Sequence, residues 1–468
     1  MKKVLLLNPP GKELYVRDYY CSKVSKADYL YHPTDLLVLS AWLDSYFELK
    51  VLDCIVDGLR ESAAIATICS FAPDAVVFLT GSVSKAEDFP FMAKVAEATQ
   101  ALILGSGDCL LDEFDLTKEE APWLRAAILD FTTDDTLLFL RNELLGESNS
   151  LTNIYDFKDG IRESGASRVK GKDFCIPVPR YELFPNGKYT YPFVRNRPFA
   201  SVLTDYGCPY RCKFCVMTSL GFKYRPVANV LEELDYIQSL GFKEIYFVDQ
   251  TFGYNKKRLR ELCQAMINRG YDFSWVAFTR VDVIDDETLS LMKESGCHML
   301  MFGVESPVQR VLDEQKKDLK LEQIEQGFRL CREHGVKTLA TFIVGLPGTS
   351  YEENASILDF AVKIAPTYAS FNVLIPRMGT ETRELAKNKN WIVAEDGLMD
   401  QSGSFASMRT ESLSADEIIA LHRKIVRGFY FRPSYLFNRL MELRNYYQLR
   451  TAFRNAFALF RQSVLISS

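Results

Sequence analysis

The sequence predicts an α/β protein made of two alternating strand–helix series, closed by a helical carboxy-terminal region. Three observations carry that expectation. Short apolar runs of strand length recur between residues 1 and 107 and again from residue 199, most of them followed by a segment of helical apolar spacing. Many of these runs end in glycine, serine, threonine or an acidic residue. At 468 residues the chain is long enough for two or three domains.

The first series lies in an amino-terminal domain drawn at residues 1–150. The opening MKKVLLLNPP looks superficially like a secretory start, but its apolar run is too short and ends in Pro9-Pro10. It reads instead as a buried parallel strand at 4–7. Residues 34–46 have helical apolar spacing through Leu36, Leu37, Leu39, Leu43 and Tyr46. Strands follow at 50–53, 75–80 and 101–104, with helices at 61–69 and 91–99 between them. Strands alternating with helices imply a parallel, doubly wound, Rossmann-like sheet, whose ligands sit at the carboxyl ends of the strands. Those ends carry Asn8-Pro9-Pro10, Thr80-Gly81-Ser82 and Gly105-Ser106-Gly107. Glycines there allow a backbone to approach a large flat ligand, although plain turn chemistry explains any one of them.

Residues 151–198 read as a linker, rich in glycine, proline and charge, with extended chain at Pro177-Val178-Pro179. The second series fills 199–390. Strands are expected at 200–204, 243–248, 273–279, 298–302, 337–344 and 368–374, with helices at 230–240, 257–269, 286–295, 321–334 and 351–365. That is a partial (β/α)6 barrel, and such barrels place their chemistry at the strands' carboxyl ends. Asp249-Gln250-Thr251, Arg280-Val281-Asp282, Gly303-Val304-Glu305-Ser306 and Gly345-Leu346-Pro347-Gly348 all fall there. Residues 391–468 form the helical carboxy-terminal region.

The composition is globular, 47% hydrophobic and 25% charged, and the net charge of −5 gives no global case for nucleic-acid binding. No apolar run approaches the length of a membrane-spanning helix. With no secretory start read, the expected location is a reducing cytoplasm.

The run Gly207-Cys208-Pro209-Tyr210-Arg211-Cys212-Lys213-Phe214-Cys215 sits just after the first barrel strand. Thiolates hold iron–sulfur clusters, and a closed four-iron cluster wants four. Three leave one iron open to a small molecule. A zinc site would show separated Cys-x-x-Cys or Cys/His pairs. The four histidines, His32, His298, His334 and His422, are all remote from the loop in sequence. An odd cysteine count and the absence of a secretory signal fit a disulfide poorly.

With these residues in view, the chain resembles the radical S-adenosylmethionine (SAM) enzymes, in the subgroup that joins the barrel to a cobalamin-binding domain. The cysteine loop matches that superfamily's signature. FVDQTF, TRVDVI, MFGVES and TFIVGLPGTS resemble its strand-end phrases, and VLLLNPP, YHPTDLLVLSAWL and RGFYFRPSYL resemble the subgroup. The resemblance implies a [4Fe-4S] cluster on Cys208, Cys212 and Cys215, with the open iron chelating the amino and carboxylate groups of SAM. An electron from the cluster then cleaves SAM to methionine and a 5′-deoxyadenosyl radical, which abstracts a hydrogen atom. By the same resemblance Phe214 lies near the adenine, and Asp249 and Thr251 near the methionine end. Arg280, Glu305 and Ser306 are candidates for the carboxylate or ribose. Gly345 through Gly348 shape the adenine side. For Glu305 a structural ion pair is the competing reading.

The resemblance also implies cobalamin, through Pro9, Ser82, Gly105, Ser106 and Gly107. The family's Asp-x-His-x-x-Gly loop supplies histidine to cobalt; Asp53-Cys54-Ile55-Val56-Asp57-Gly58 keeps the acid and the glycine and lacks the histidine. Cobalamin without a protein ligand to cobalt is therefore expected. The implied reaction is cobalamin-dependent methylation of an unactivated carbon in a lipid, isoprenoid or other small molecule, with an external flavodoxin- or ferredoxin-type electron donor. Radical cyclisation, ring rearrangement or carbon–carbon coupling without methyl transfer is the alternative. A tRNA methylthiotransferase is a third reading, against which the contexts of Cys21, Cys54, Cys69 and Cys109 speak.

From Lys424 onward, eight basic residues from Lys424 to Arg461 are interleaved with aromatics and face one acid, Glu442. Helices packing across the barrel explain this pattern, and peripheral contact with an anionic membrane is the competing reading. The substrate has no portable code in the sequence; it is expected between the two domains.

Overall fold

The structure, a computed structural model, describes residues 1–17, 22–23, 29–111, 114–158, 172–394 and 405–442. These residues form two compact units. One holds the described residues of 1–208 and 220–248, the other those of 209–219 and 249–442. The division runs through the barrel series rather than at residue 198.

The first unit is built on a six-stranded sheet in the order Glu48–Asp53, Lys3–Asn8, Ala75–Leu79, Leu102–Ser106, Ala126–Ile128, Ile154–Asp156. The first five strands are parallel and the last is antiparallel. Val4, Leu5, Leu6 and Leu7 are fully buried, as expected of a central parallel strand covered on both faces. One face packs Leu5, Leu7, Val76, Phe78 and Ile103 against Ala64, Ile68, Met92 and Val95 of the helices Glu61–Phe71 and Lys85–Thr99. The latter helix starts six residues before its expected start and carries Pro90 inside it; a proline in a helical pattern reads as a boundary, and here it is not one. The strands at 126–128 and 154–156 lie beyond the predicted series; at three residues each they show no readable period.

Residues 172–198 do more than link. Tyr181, Tyr189 and Ile176 are buried. Tyr181 donates to the Ser201 carbonyl at 2.8 Å, and Tyr189 to Asp53 at 3.1 Å. The first unit also contains Ala200–Val202, paired in parallel with Glu244–Phe247, and the helix Val227–Ser239. Arg225 and Glu233 form a fully buried ion pair inside it.

The second unit carries four parallel strands in the order Ser274–Thr279, Cys297–Glu305, Lys337–Val344, Tyr368–Val373. All six strands of the predicted barrel series are thus present, two in one unit and four in the other. Side-chain caps start the helices cleanly: Asn255 for Lys256–Asn268, Asp285 for Asp286–Glu294, and a Ser350/Glu353 capping box for Tyr351–Ala355. The predicted helix 351–365 is two helices, Tyr351–Ala355 and Ile357–Ile364, joined at Ser356.

The helix Ala415–Tyr430 packs on the last strand. Phe429 is fully buried against Phe371, Tyr430 hydrogen-bonds the Ala369 backbone, and the His422 ring meets the Phe371 carbonyl at 3.0 Å. The packing explanation of the tail therefore holds over this helix. Of the basic residues in the tail, Arg444, Arg450, Arg454 and Arg461 lie outside the described residues. No helix among the described residues is long and apolar enough to cross a membrane.

Candidate functional site

The cysteine loop begins with a close approach of two backbones. Asp205–Gly207 pairs antiparallel with Phe222–Tyr224. Gly207 has φ +74°, and a Cβ there would stand 2.0 Å from the Gly221 carbonyl oxygen, so only glycine fits. Cys208 then donates its amide to that same carbonyl at 3.1 Å. Further along, the Cys215 amide bonds the Cys212 carbonyl at 3.1 Å, and Thr218 Oγ1 donates to the Cys215 carbonyl at 3.0 Å. Cys212 is buried, while Cys208 and Cys215 are half-buried. No described cysteine is in a disulfide.

These residues fit a cluster in donor type and in sequence spacing: three soft thiols, of which Cys212 is shielded from water. Among the described residues no three histidine, cysteine or carboxylate side chains converge as a single metal ion requires. A cubane takes its thiolates on separate irons, so its ligands need not converge that way.

Within the second unit the loop is gripped from several sides. The Lys213 amide donates to the Gln315 carbonyl at 3.1 Å, and the Lys213 carbonyl accepts from Thr382 at 3.2 Å. The Arg280 guanidinium lies 3.5 Å from the centroid of the Tyr210 ring. Phe214 packs against the cluster of Val311, Leu346, Leu374 and Trp391, and Leu346 belongs to the Gly345–Gly348 turn. That turn is fixed by Asn354, whose side-chain oxygen accepts from the Gly345 amide at 2.9 Å and whose Nδ2 donates to Thr349 at 2.7 Å. Gly345 itself has φ +87°.

Arg280 is heavily used by the protein. It forks onto Asp282 with two bonds of 3.0 Å and donates to the Lys317 and Asp318 carbonyls at 2.8 Å each. Glu305, at the carboxyl end of its strand, has φ +66° and accepts from Lys317 Nζ at 2.9 Å. Both members of this pair are buried. Burial works against the Lys317 charge, but neighbouring negative charge, that of the Glu305 carboxylate first, outweighs it and raises the amine above the ordinary lysine value. Ser306 is buried beside Glu305, with its Oγ accepting from the Val308 amide at 3.2 Å. Asp249 and Thr251 are buried just beyond Glu244–Phe247, and Thr279 ties their loop by donating to the Phe252 carbonyl at 2.7 Å. The structure thus brings Cys212, Phe214, Arg280, Glu305 and Ser306 into one unit. It adds Gln315 and Lys317, which sequence reasoning missed, because GluGlnLysLysAspLeuLys reads as a solvated charged run.

In the first unit, each residue expected at the corrinoid has a partner inside the protein. The Pro9 carbonyl accepts from Arg17 at 3.0 Å. Ser82 donates its amide and hydroxyl to Asp108, at 2.8 and 2.9 Å. Ser106 donates to Asp35. A Cβ on Gly105 would strike Leu110, and one on Gly107 would strike the Thr80 carbonyl. The same unit holds two further buried polar features. Arg17 is buried between Asn8, Ser84 and Asp88. Asp53, the acid kept from the histidine-bearing loop, accepts from Asn8 at 2.8 Å and from Tyr189. It also caps the short helix Cys54–Asp57, which ends at Gly58 with φ +63°. The acid and glycine thus have structural work that needs no histidine. The strand ends otherwise present small groups (Thr80, Gly81, Ser82, Gly105, Ser106, Gly107), which suits a corrinoid held by backbone with no protein ligand to cobalt.

Residues 202–361 match the family model of the radical SAM superfamily. An uncharacterized methyltransferase of Pyrococcus horikoshii is 29% identical over 425 residues, covering 88% of this chain and 90% of that one. The solved structure of TsrM from Kitasatospora setae, a radical SAM methyltransferase with cobalamin and a [4Fe-4S] cluster bound, superposes with a TM-score of 0.70 at 16% identity over 99% of each chain. The cobalamin-dependent SAM radical enzyme OxsB, with aqua-cobalamin and SAM bound, gives a TM-score of 0.67 at 16% identity over 98% of this chain and 72% of that one.

Proposed function

We propose that this chain, which carries a radical SAM domain on the fold shared by TsrM and OxsB, is a cobalamin-dependent radical SAM methyltransferase acting on a small molecule at an unactivated carbon. The observation that carries the reading is the three-thiol run Cys208, Cys212 and Cys215, with Lys213 tied to Gln315 and Thr382 in the second unit. Cys208, Cys212 and Cys215 would hold three irons of a cubane and leave the fourth for the amino and carboxylate groups of SAM. When bound, the cluster supplies the electron that cleaves SAM, and cobalamin supplies the methyl group.

The chain's own residues do the rest. Lys213, tied through both its amide and its carbonyl, keeps the ligand loop from relaxing when it is empty. Phe214 and Leu346 form an apolar wall suited to a purine face. Glu305 offers a buried carboxylate to ribose hydroxyls, and Asp249 and Thr251 are polar groups for the methionine end. Arg280, committed to Asp282, Lys317 and Asp318, serves by holding Tyr210 and with it the loop. An external flavodoxin- or ferredoxin-type protein would deliver the electron. Contact of the basic aromatic tail with a membrane surface would suit a lipid substrate.

The test is anaerobic reconstitution followed by metal analysis and absorption spectroscopy, then turnover with SAM labelled in its methyl group. About four irons and one corrinoid per chain, with label appearing in product, support the proposal. No corrinoid uptake sinks the methyl-transfer route. A product without label would instead favour radical cyclisation or coupling.

A further inference from the structure

The four residues Gln315–Asp318, between the helices Gln309–Glu314 and Leu321–Glu333, form a strap with an unusual density of constraints. Two of them, Lys316 and Asp318, have φ of +53° and +52°, in the left-handed region that residues other than glycine avoid. The Gln315 carbonyl holds the Lys213 amide between two cluster cysteines. The Lys317 and Asp318 carbonyls hold Arg280. Lys317 sends its side chain to Glu305, a third non-glycine residue with positive φ. Gly303 makes room for this meeting: a Cβ there would stand 2.3 Å from Glu305 Oε1 and 2.6 Å from Lys317 Nζ. Strain of this kind persists only where the surroundings over-determine it, and here one lysine joins the strained strand end to the strained strap.

We infer that Lys317 is a positioning residue of the SAM pocket, which acts through its ion pair to aim the Glu305 carboxylate at bound SAM. The inference rests on the proposed function, since it needs SAM as the ligand. With the pair intact, the carboxylate is held in one orientation although it is buried. Without the amine, a buried carboxylate turns toward water, and the ribose hydroxyls lose an acceptor.

A double-mutant cycle on the anaerobically reconstituted full chain tests this, with SAM affinity read by equilibrium dialysis and iron content measured on each sample. Lys317→Met and Glu305→Gln should each weaken SAM by about tenfold or more, and the double variant by no more than the worse single, because both remove one and the same contact. Lys317→Arg, which keeps the charge, should stay within about threefold of wild type. Gly303→Ala, which touches neither charge, should reproduce the loss by displacing the pair. The inference fails if Lys317→Met and Gly303→Ala both leave SAM affinity within about twofold of wild type, or if the Lys317 and Glu305 losses multiply. If Lys317→Met loads no iron, Gly303→Ala and Lys317→Arg decide: a Gly303→Ala protein that keeps its iron and binds SAM as wild type does overturns the inference. A wild-type protein that loads its cluster and takes up no SAM would overturn the functional proposal instead.

Discussion

Replacing Arg280 with methionine should loosen the cysteine loop before it affects any ligand. The guanidinium makes four hydrogen bonds, two to Asp282 and two to the carbonyls of Lys317 and Asp318, and covers the Tyr210 ring at 3.5 Å. Hydrogen bonds to a charged group contribute about 1.5–3 kcal/mol each, but these four are not additive. Asp282 is partly exposed and can turn to water. The two carbonyls sit on a strap with little freedom to do so, and the cation–π contact contributes about 1 kcal/mol more. A net local cost of about 3 kcal/mol is a conservative sum, at the lower end of the about 3–5 kcal/mol typical of breaking a buried pair outright. The Lys213 amide bonds to that same strap, so it reports directly. Hydrogen exchange at Lys213 in the apo protein should accelerate by about a hundredfold in Arg280→Met. Arg280→Lys, which keeps the charge and loses the fork, should accelerate it by about tenfold. Reconstituted iron should fall in parallel. Unchanged exchange and full iron content, with SAM affinity alone reduced, would refute this and return Arg280 to direct contact with SAM.

Other outcomes are as specific. Substituting alanine for Cys208, Cys212 or Cys215 singly should abolish the broad visible absorption of the reconstituted cluster and drop bound iron from about four to under about one per chain. His32 is fully buried, bonded to Ser201 and Asn186, and burial lowers its pKa from the ordinary 6.5 to about 4 against the smaller opposing effect of Asn186. Its folded value lies below its unfolded one, so its contribution is complete above about pH 6.5 and is lost as the pH falls toward 4, by about 3 kcal/mol in all; His32→Gln should remove that acid sensitivity in urea titrations of the first unit's signals. Asp53 behaves in the opposite sense. Burial raises it from 3.8 to about 6 despite bonds from Val56, Asn8 and Tyr189, so its contribution is complete below about pH 4 and lost as the pH rises through 6, again by about 3 kcal/mol. Asp53→Asn should therefore gain stability relative to wild type above pH 6, measured as a shift of the urea midpoint. Wild type, carrying both, should look nearly flat between pH 4 and 6.5.

The strands and helices were legible because their signals are periodic and long. The run 337–344 was read to the residue, and all six barrel strands stood where apolar runs predicted them. The cysteine loop was legible because ligand spacing is a local property. What escaped was coupling between distant residues. The strand pair at 126–128 and 154–156 is too short for a period. Lys317 and Gln315 lie in a polar run whose burial comes from what surrounds it. Asp53 looked like a remnant of a cobalt-binding loop; its use became visible only with Asn8 and Tyr189 beside it, 45 and 136 residues away in sequence. Ser82 and Gly105, expected at the corrinoid, also meet groups of their own unit: Ser82 donates to Asp108, and a Cβ on Gly105 would strike Leu110.

The strap at Gln315–Asp318 also bears on how such a protein can be engineered. Solubility redesign works from charged stretches assumed to face water, and exchanges lysine for glutamate or arginine there. In this chain that procedure would choose Lys316 and Lys317 together. Lys316, about half exposed and paired at the surface with Glu381, would tolerate the exchange; Lys317→Glu would set two carboxylates against each other in a buried space. A library scored for expression alone would retain the first and lose the second, and the difference would map the hidden wall of the pocket without any substrate in hand.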